Sequence, residues 1–445
     1  MRYKKILIIG EVFVDNHLDL QEDEQCIVRL GGIFHAIRAC AALNIDYSFA
    51  YFAPEYLDED IQEYSLKLKS KGAYKLGKVN KAPNVFIING SDESGRQIYG
   101  NVLSKQAQYI KTNSVLNVLN KVQPTDVIIF PGRYGTKNIL EDMAQFKGKI
   151  HIDFNYDSED LLDFVNCNVS TAILSTSSST FSAFFTDGNY DKIIEFFNRK
   201  KVNKLIIKEN RGGAWLYDFG SLYEVNAPAY LDKVLHSVGV GDVYDIAFIC
   251  EWYSGNDKNN MCLAAWMAVL YAKTMHFESF KANIALLLEN ADEQIQLLGI
   301  RVPWNSRKKY NIYMAAPDFD YVDTSKLDKL VDALLYHNFS PRLPIQENGQ
   351  VSKDMSQDEE QKIYAKDIAL LKKCDLMIAT LLYNDQGTLV EIGSYLAEKK
   401  PIILYDPDKI LNNIFLKYSC DYYCITKSEV INAVFEAIDR REKSD

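Results

Sequence analysis

Short runs of β-branched and other apolar residues alternate along most of this chain with segments whose apolar positions recur at helical spacing. Runs that are apolar throughout suit strands covered on both faces, so the pattern predicts parallel sheets layered with helices. Lys5–Gly10, Asp126–Pro131, Lys149–Phe154 and Lys204–Lys208 are the clearest strands of the first part, and a long apolar helix is predicted from Val243 to about Tyr253. Further on, Asn311-Ile-Tyr313-Met-Ala-Ala-Pro317 reads as a strand ending in a small-residue loop. Tyr364 to Thr380 reads as a helix feeding a buried parallel strand, an arrangement that sets polar groups at strand ends. A different texture, two short runs around a turn-rich loop between Asn84 and Tyr99, predicts an antiparallel hairpin that could act as a lid. Between Glu278 and Lys309 the helical pattern gives way to Arg301-Val-Pro-Trp-Asn-Ser-Arg-Lys-Lys, which predicts domains over 1–285 and 309–445 with a linker at 286–308.

Composition agrees with two domains. The chain has 445 residues, 47% hydrophobic and 25% charged, which is ordinary for a globular protein and too long for one core. No apolar run approaches the roughly 20 residues that span a bilayer, and the first residues enter a strand at once, so a cytoplasmic protein is expected. A net charge of −10 argues against a nucleic-acid surface, and the Lys-rich segment Lys67–Lys81 reads as a solvated helix face and turn. Cysteines at 26, 40, 167, 250, 262, 374, 420 and 424 form no CxxC pair and no zinc spacing, and are expected as buried thiols. Cys420 to Thr426 alternates like a strand. His17, His151, His276 and His337 are read as structural, and the many tyrosines and phenylalanines as core and interface residues.

The segment with the most chemistry is Asp385-Gln-Gly-Thr-Leu-Val-Glu391-Ile-Gly393-Ser-Tyr, which follows an apolar strand and opens a helix. Two carboxylates six residues apart suit glycosyl transfer, one attacking the anomeric carbon and the other holding the sugar. The plainer alternative is a solvated Glu in the first helical turn, favoured by the helix dipole.

Taken with Asn311–Pro317, the Asp367 helix and the apolar Pro401-Ile-Ile-Leu-Tyr, this order and spacing resembles the nucleoside 2-deoxyribosyltransferase family over roughly residues 309–445. The resemblance implies a flavodoxin- or Rossmann-like parallel α/β domain without a cofactor. It implies Glu391 as nucleophile, Tyr313 beside it as the orienting group, Asp367 as the acid near the leaving base, and Asp385 as a ligand of sugar hydroxyls. Gln346, in Pro344-Ile-Gln346-Glu-Asn, is matched to a base-contacting glutamine, and either Asn412 or Asn413 to a sugar-binding asparagine that reaches a neighbouring subunit's site, hence a homo-oligomer. Related nucleotide hydrolases carry a small hydroxyl residue where this chain has Asp385. An anionic Asp would repel a 5′-phosphate, so a nucleoside with a free 5′-hydroxyl is expected.

In the first part, Ser237-Val-Gly239-Val-Gly241-Asp242 introduces the long apolar helix, so glycines let the backbone approach an anion at a helix N-terminus with an Asp nearby to take a proton. Together with Gly10-Glu-Val-Phe-Val-Asp15 after the first strand and Gly31-Gly32 at a helix start, this resembles the ribokinase-like (PfkB) sugar and nucleoside kinases over roughly residues 1–285. The resemblance implies a three-layer α/β domain with a small β lid. Asp242 would be the base, Gly239 and Gly241 an anion hole, Asp15, Gly31, Gly32 and the neighbouring His35 the sugar site, and Lys208 and Gly213 neighbours of the nucleotide. ATP and Mg2+ are its cofactors if it is active. The chain departs from the family where His35 replaces an Asn, His236 replaces an Asp and Asn210 replaces a Gly. The magnesium-organising Asn-x-x-Glu motif is missing from Ile173–Thr180.

Three readings follow. In the first, an enzyme of nucleoside metabolism cleaves or exchanges an N-glycosidic bond and carries a sugar- or nucleoside-binding, kinase-like domain. The second is an ATP-dependent kinase with a nucleotide-sensing C-terminal domain. The third is a non-kinase ligand-binding module that controls a C-terminal glycosidase. None of them calls for a membrane partner.

Overall fold

A parallel strand with helices on both sides must be apolar on both faces, and Lys5–Glu11 meets that demand, with Ile6, Leu7, Ile8 and Ile9 all at 0% exposure. The computed structural model describes residues 4–18, 26–89, 99–155, 161, 169–184, 190–319, 322–352, 354–383 and 385–444. These form two compact units, the first ending at Arg301 and the second beginning at Val302.

In the first unit the strands are β1 (Lys5–Glu11), β2 (Val14–Leu18), β3 (Cys26–Leu30), β4 (Asp46–Ala53), β5 (Ala73–Asn80), β6 (Val85–Asn89), β7 (Tyr99–Asn101), β8 (Gln108–Lys111), β9 (Asp126–Ile129), β10 (Lys149–Asp153), β11 (Val169–Ser175), β12 (Lys204–Lys208), β13 (Ala214–Asp218) and β14 (Tyr223–Ala227). Ten of them make one sheet in the order β14-β13-β12-β11-β10-β9-β1-β4-β5-β8. The seven from β12 to β5 are mutually parallel, and antiparallel strands close both edges. Successive strands run outward from β1 first through β4 and β5, then through β9 to β12. The order therefore reverses at β1/β9, where an open α/β sheet leaves a crevice. The helices Phe34–Ala42, Val240–Ile249, Asp257–Ala272 and Phe277–Glu289 pack one core against this sheet, with Phe34, Ile37, Val243, Ile246, Met267 and Ile284 among its buried members.

A second, four-stranded sheet runs β3-β2-β6-β7. The expected hairpin is present as antiparallel β6 and β7, with Ile88 opposite Tyr99, while its loop, 90–98, lies outside the described residues. The other two strands, β2 and β3, were not anticipated.

Several expectations are corrected. Lys67–Lys81 is a helix end, a turn and then β5, whose Leu76 and Val79 are buried in the main sheet. The apolar helix runs Val240–Ile249 and stops short of Tyr253, because Glu251 takes a left-handed φ of 47°. Within 286–308, residues up to Glu289 complete one helix, Ala291–Gln294 form another, Ile300 pairs with Ala229, and Trp304–Arg307 is a helical turn. Cys40, Cys250, Cys262, Cys374 and Cys424 are buried, but Cys26 is exposed and Cys420 only half-buried; Cys167 lies outside the described residues.

The second unit has β15 (Asn311–Ala315), β16 (Ser340–Arg342), β17 (Leu376–Thr380), β18 (Ile402–Tyr405) and β19 (Tyr422–Cys424), all parallel and ordered β16-β15-β17-β18-β19. Numbered within the unit, that order is 2-1-3-4-5, a doubly wound arrangement whose switch point lies between β15 and β17. Arg307 is fully buried here, donating through Nε to the Val302 carbonyl at 2.9 Å and through Nη1 to the His337 carbonyl at 3.2 Å, with its guanidinium over the Trp304 and Phe435 rings at 5.0 and 4.9 Å. Among the described residues no helix is long and apolar enough to cross a membrane.

Candidate functional site

At the β15/β17 switch point, two helices bring carboxylates to a strand tyrosine. The helix Gln386–Ala397 is capped by Asp385, whose Oδ2 accepts from the Thr388 amide at 2.6 Å and the Thr388 hydroxyl at 2.8 Å. Thr388, Glu391, Ile392 and Tyr395 stand at i, i+3, i+4 and i+7, so Glu391 lies on the inward stripe and not on the solvated face. It is in the second turn, which corrects its expected place in the first and leaves the helix dipole little hold on it. Buried Tyr313, mid-strand in β15, donates its phenol to Glu391 Oε1 at 2.6 Å.

Asp367 follows the same logic. The helix Gln357–Lys373 starts at a capping box of Ser356 and Glu359, and Asp367, Leu370, Leu371 and Cys374 form its inward stripe. Tyr395 donates to the Cys374 carbonyl at 3.0 Å, tying the two helices together. Both carboxylates stand on helices and Tyr313 is mid-strand, whereas the sequence pattern predicts polar groups at strand ends. Asn348 donates to Asp367 Oδ1 at 2.8 Å. Gln346, two residues before it on the short helix Pro344–Asn348, is exposed, and its side chain makes no hydrogen bond among the described residues.

Asn413 spends its side-chain oxygen capping the helix Ile414–Ser419, accepting from the Phe415 amide at 2.9 Å. Asn412 is exposed, and neither asparagine is hydrogen-bonded to Tyr313, Glu391 or Asp367. The loop before them is pinned by buried Asp406, which accepts from the Ile410 and Leu411 amides at 2.9 and 3.1 Å.

The electrostatics suit a nucleophile and an acid. Burial pushes the Glu391 carboxyl up to about 7, with the Asp367 and Asp385 charges adding and the Tyr313 hydrogen bond opposing. Burial also raises Asp367, against the Asn348 hydrogen bond. The Tyr313 phenol is held well above its usual range by burial and by Glu391, so it stays a donor. A reaction that needs ionised Glu391 therefore gains rate as pH rises through about 7. Tyr313→Phe removes a donor that favours the ionised form, so the acid limb of the kcat/KM profile should move to higher pH, with a larger loss at pH 6 than at pH 9. An unmoved limb would show that the phenol does not tune this carboxylate.

In the first unit, Asp15 lies on β2 opposite Arg29 of β3. A Cβ added at Gly31 would meet Asp15 Oδ1 at 2.1 Å, so only glycine allows that contact. Gly32, at φ 59°, makes the turn into the helix Phe34–Ala42. His35, on that helix, pairs through Nε2 with Asp15 Oδ2 at 3.0 Å and through Nδ1 with the Tyr271 hydroxyl at 2.8 Å. A Cβ on Gly239 would strike the His35 ring at 2.0 Å, so the glycine loop is pressed against the Asp15 site. Gly239 itself has φ 76° and precedes Val240–Ile249, placing Asp242 in that helix's first turn.

Beside it, Lys208 Nζ contacts Asp245 Oδ1 at 2.7 Å, Asp153 Oδ2 at 3.8 Å and the Gly241 carbonyl at 3.4 Å. Burial pushes Asp242 up to about 7, with Asp153 adding and Lys208 opposing. Gly213, at φ 109°, closes the turn after β12, its carbonyl accepting from the Glu209 amide at 2.8 Å, and a Cβ there would meet the Ala227 carbonyl at 2.4 Å. Carboxylate atoms of Asp153, Asp242 and Asp245 lie within 4.8 Å of one another, a spread that a divalent ion could bridge. The Lys208 ammonium already stands among them, and a divalent ion would meet that charge at contact distance. As arranged, these residues fit a resident lysine and not a metal.

Residues 312–424 match the family model for nucleoside 2-deoxyribosyltransferase. The match takes in Tyr313, Asp367, Asp385 and Glu391 and ends at the last strand of the second unit. For the first part the likenesses are to solved structures. Ribokinase from Arabidopsis thaliana, complexed with ribose and ATP, is 14% identical, covering 66% of this chain and 99% of that one at a TM-score of 0.49. A nucleoside kinase from Methanocaldococcus jannaschii, an archaeal member of the ribokinase family, is also 14% identical, covering 64% and 98% at 0.47. Ribokinase from Thermotoga maritima is 15% identical, covering 65% and 100% at 0.46. No curated protein matches the chain in sequence.

Within the deoxyribosyltransferase-like unit, sequence reasoning missed Asn348, although it stands in the quoted Pro344–Asn348 stretch. In the first unit it missed Asp153 and Asp245. Both left a signal: Asp153 is a charge at the carboxyl end of a buried strand, and Asp245 is three residues beyond Asp242, hence on the same helix face. His17, read as structural, belongs to the polar cluster around Asp15.

Proposed function

We propose that the second unit cleaves or transfers the N-glycosidic bond of nucleosides through a covalent glycosyl-Glu391 intermediate. The observation that carries this is the Tyr313 hydroxyl 2.6 Å from a half-buried Glu391 at the sheet's switch point, with the raised Asp367 within electrostatic reach. A Glu391 oxygen attacks C1′ and the C1′–N bond breaks. Its electron pair passes to the base nitrogen, which takes the Asp367 proton. An incoming base or water then attacks C1′, the bond to Glu391 breaks, and the released proton returns to Asp367. Incubating the protein with a panel of nucleosides and monophosphates, with and without a second base, and identifying products by mass tests this directly. No free base and no exchanged nucleoside from any substrate would overturn it.

The same reading makes nucleosides better substrates than their 5′-monophosphates, because Asp385 adds an anion beside the site. Asp385→Ser keeps a helix-capping side chain while removing the charge. It should narrow the ratio of the two kcat/KM values by about tenfold. A wild-type preference for monophosphates would remove Asp385 from the 5′ end. A homo-oligomer belongs to this proposal as well. Asn412 and Asn413 reach no catalytic group of their own protomer, and the helix that follows leaves Ile414, Phe415 and Tyr418 at 68%, 81% and 80% exposure for a second copy to cover.

For the first unit we propose binding of a sugar or nucleoside beside Asp15 and Gly31–Gly32. A second reading, phosphoryl transfer to that ligand, is favoured by one observation: Asp242, near neutrality, stands in the first turn of a ten-residue helix behind a glycine loop. There it would take the acceptor hydroxyl's proton while Lys208 and the loop amides face the transferred anion. On this reading Asp242→Asn abolishes ATP-dependent phosphorylation of pentoses or nucleosides and leaves base release nearly unchanged. Calorimetry with ATP and Mg2+, followed by product analysis, decides it. Neither nucleotide binding nor phosphorylated product in the wild type would leave ligand binding alone for this unit.

A further inference from the structure

Among the described residues, the small sheet of the first unit and the helix beside it bury two guanidinium groups close to a single carboxylate. Because β2 and β3 are antiparallel with Asp15 opposite Arg29, and side chains two apart share a face, His17, Asp15 and Arg29 project together. Arg38, on the helix Phe34–Ala42, adds a second buried guanidinium. Among the described residues one carboxylate, Asp15, stands against these two cations, with its Oδ2 3.0 Å from His35 Nε2.

Arg38 Nη2 donates to the Leu30 carbonyl at 2.7 Å, but several other donors nearby are unmet among the described residues. Arg29 Nε and Nη2 are inaccessible to solvent and hydrogen-bonded to nothing, and Arg29's one ring contact is Tyr271, 5.7 Å away. Arg38 Nη1 and both nitrogens of fully buried His17 are in the same condition, and so is Nδ1 of His236, whose ring lies 6.0 Å from that of His17. Burial holds His17 down to about 3 and His35 to about 4, so the imidazoles are neutral and do not add to the charge. A buried guanidinium with no acceptor is a costly arrangement, and a ligand that supplies oxyanion oxygens relieves it.

We infer that this pocket takes a small polyol carrying an oxyanion, a phosphate or a carboxylate, held by the Arg29 guanidinium and the His17 ring. The oxyanion follows from the buried, unmet donors of Arg29 and His17. The polyol rests on the proposed role of Asp15 and Gly31–Gly32 in binding sugar hydroxyls. A neutral pentose or nucleoside would leave Arg29 uncompensated, so the anion selects among ligands that the sugar site would otherwise accept.

Titration calorimetry on the full chain, with 2-deoxyribose 5-phosphate, ribonate, inorganic phosphate and neutral 2-deoxyribose, tests both parts. One of the two sugar anions should bind at least about tenfold more tightly than the neutral sugar, and less tightly as salt is raised. Which of the two binds identifies the oxyanion. Inorganic phosphate binding without either sugar anion keeps the oxyanion site and overturns the sugar reading. Neutral sugar binding as well as its phosphate overturns the oxyanion and keeps the sugar site, and no binding by any probe overturns both. Arg29→Met should abolish the preference for the anion. Without ligand it should melt at or above the wild-type temperature, because an uncompensated buried charge has been removed. Retained anion preference in Arg29→Met, or a marked fall in its ligand-free melting temperature, would mean that Arg29 is a structural group and overturn the assignment.

Discussion

Glu391→Ala is expected to lower N-glycosidic cleavage by at least about a thousandfold, because the attacking atom itself is removed. Glu391→Gln should be almost as inactive, although its amide oxygen can still accept from Tyr313. The fold should survive both changes and even gain at alkaline pH. Glu391 has its carboxyl raised from 4.5 to about 7 by burial, so the folded state holds a proton that the unfolded chain has lost in that window. Wild-type stability therefore falls as pH rises from about 4.5 to about 7, and the full penalty applies above that. Glu391→Gln escapes it and should melt above the wild type at pH 8 but not at pH 4. Kinetics with a trapped glycosyl adduct, read together with calorimetric melts at the two pH values, check the two halves separately. Substantial turnover in Glu391→Ala, or an adduct on another residue, would sink the nucleophile assignment.

Arg307→Met should destabilise the second unit by about 3–5 kcal/mol. The methionine fills part of the volume and keeps contact with the Trp304 and Phe435 rings, yet it cannot donate to the Val302 and His337 carbonyls that Arg307 holds at 2.9 and 3.2 Å. For a unit of this size a loss of that order lowers the melting transition by about 10 °C or more. Differential scanning calorimetry reads it. A shift within about 1 °C would mean that the apolar packing, and not the hydrogen bonds, secures this side chain.

The sequence by itself determined the layered α/β class, most of the buried strands and the segments that carry Glu391, Tyr313 and Asp367. These depend on local periodicity and on short motifs: four apolar residues in a row commit Lys5–Glu11 to a covered strand, and spacing of three and four puts Glu391 and Asp367 on inward helix stripes. It missed β5 inside Lys67–Lys81 because charges on a half-covered strand look like those on a solvated helix, and only pairing with β4 and β8 decides between them. It also could not see which distant residues meet. Asn348 reaches Asp367, Lys208 enters the Asp153, Asp242 and Asp245 cluster, and Arg29 faces Asp15 only through strand order, register and helix packing. The values near neutrality for Glu391 and Asp242 are likewise products of the tertiary structure. Burial raises the cost of charge at both positions, and burial is a property of what the rest of the chain packs around a residue.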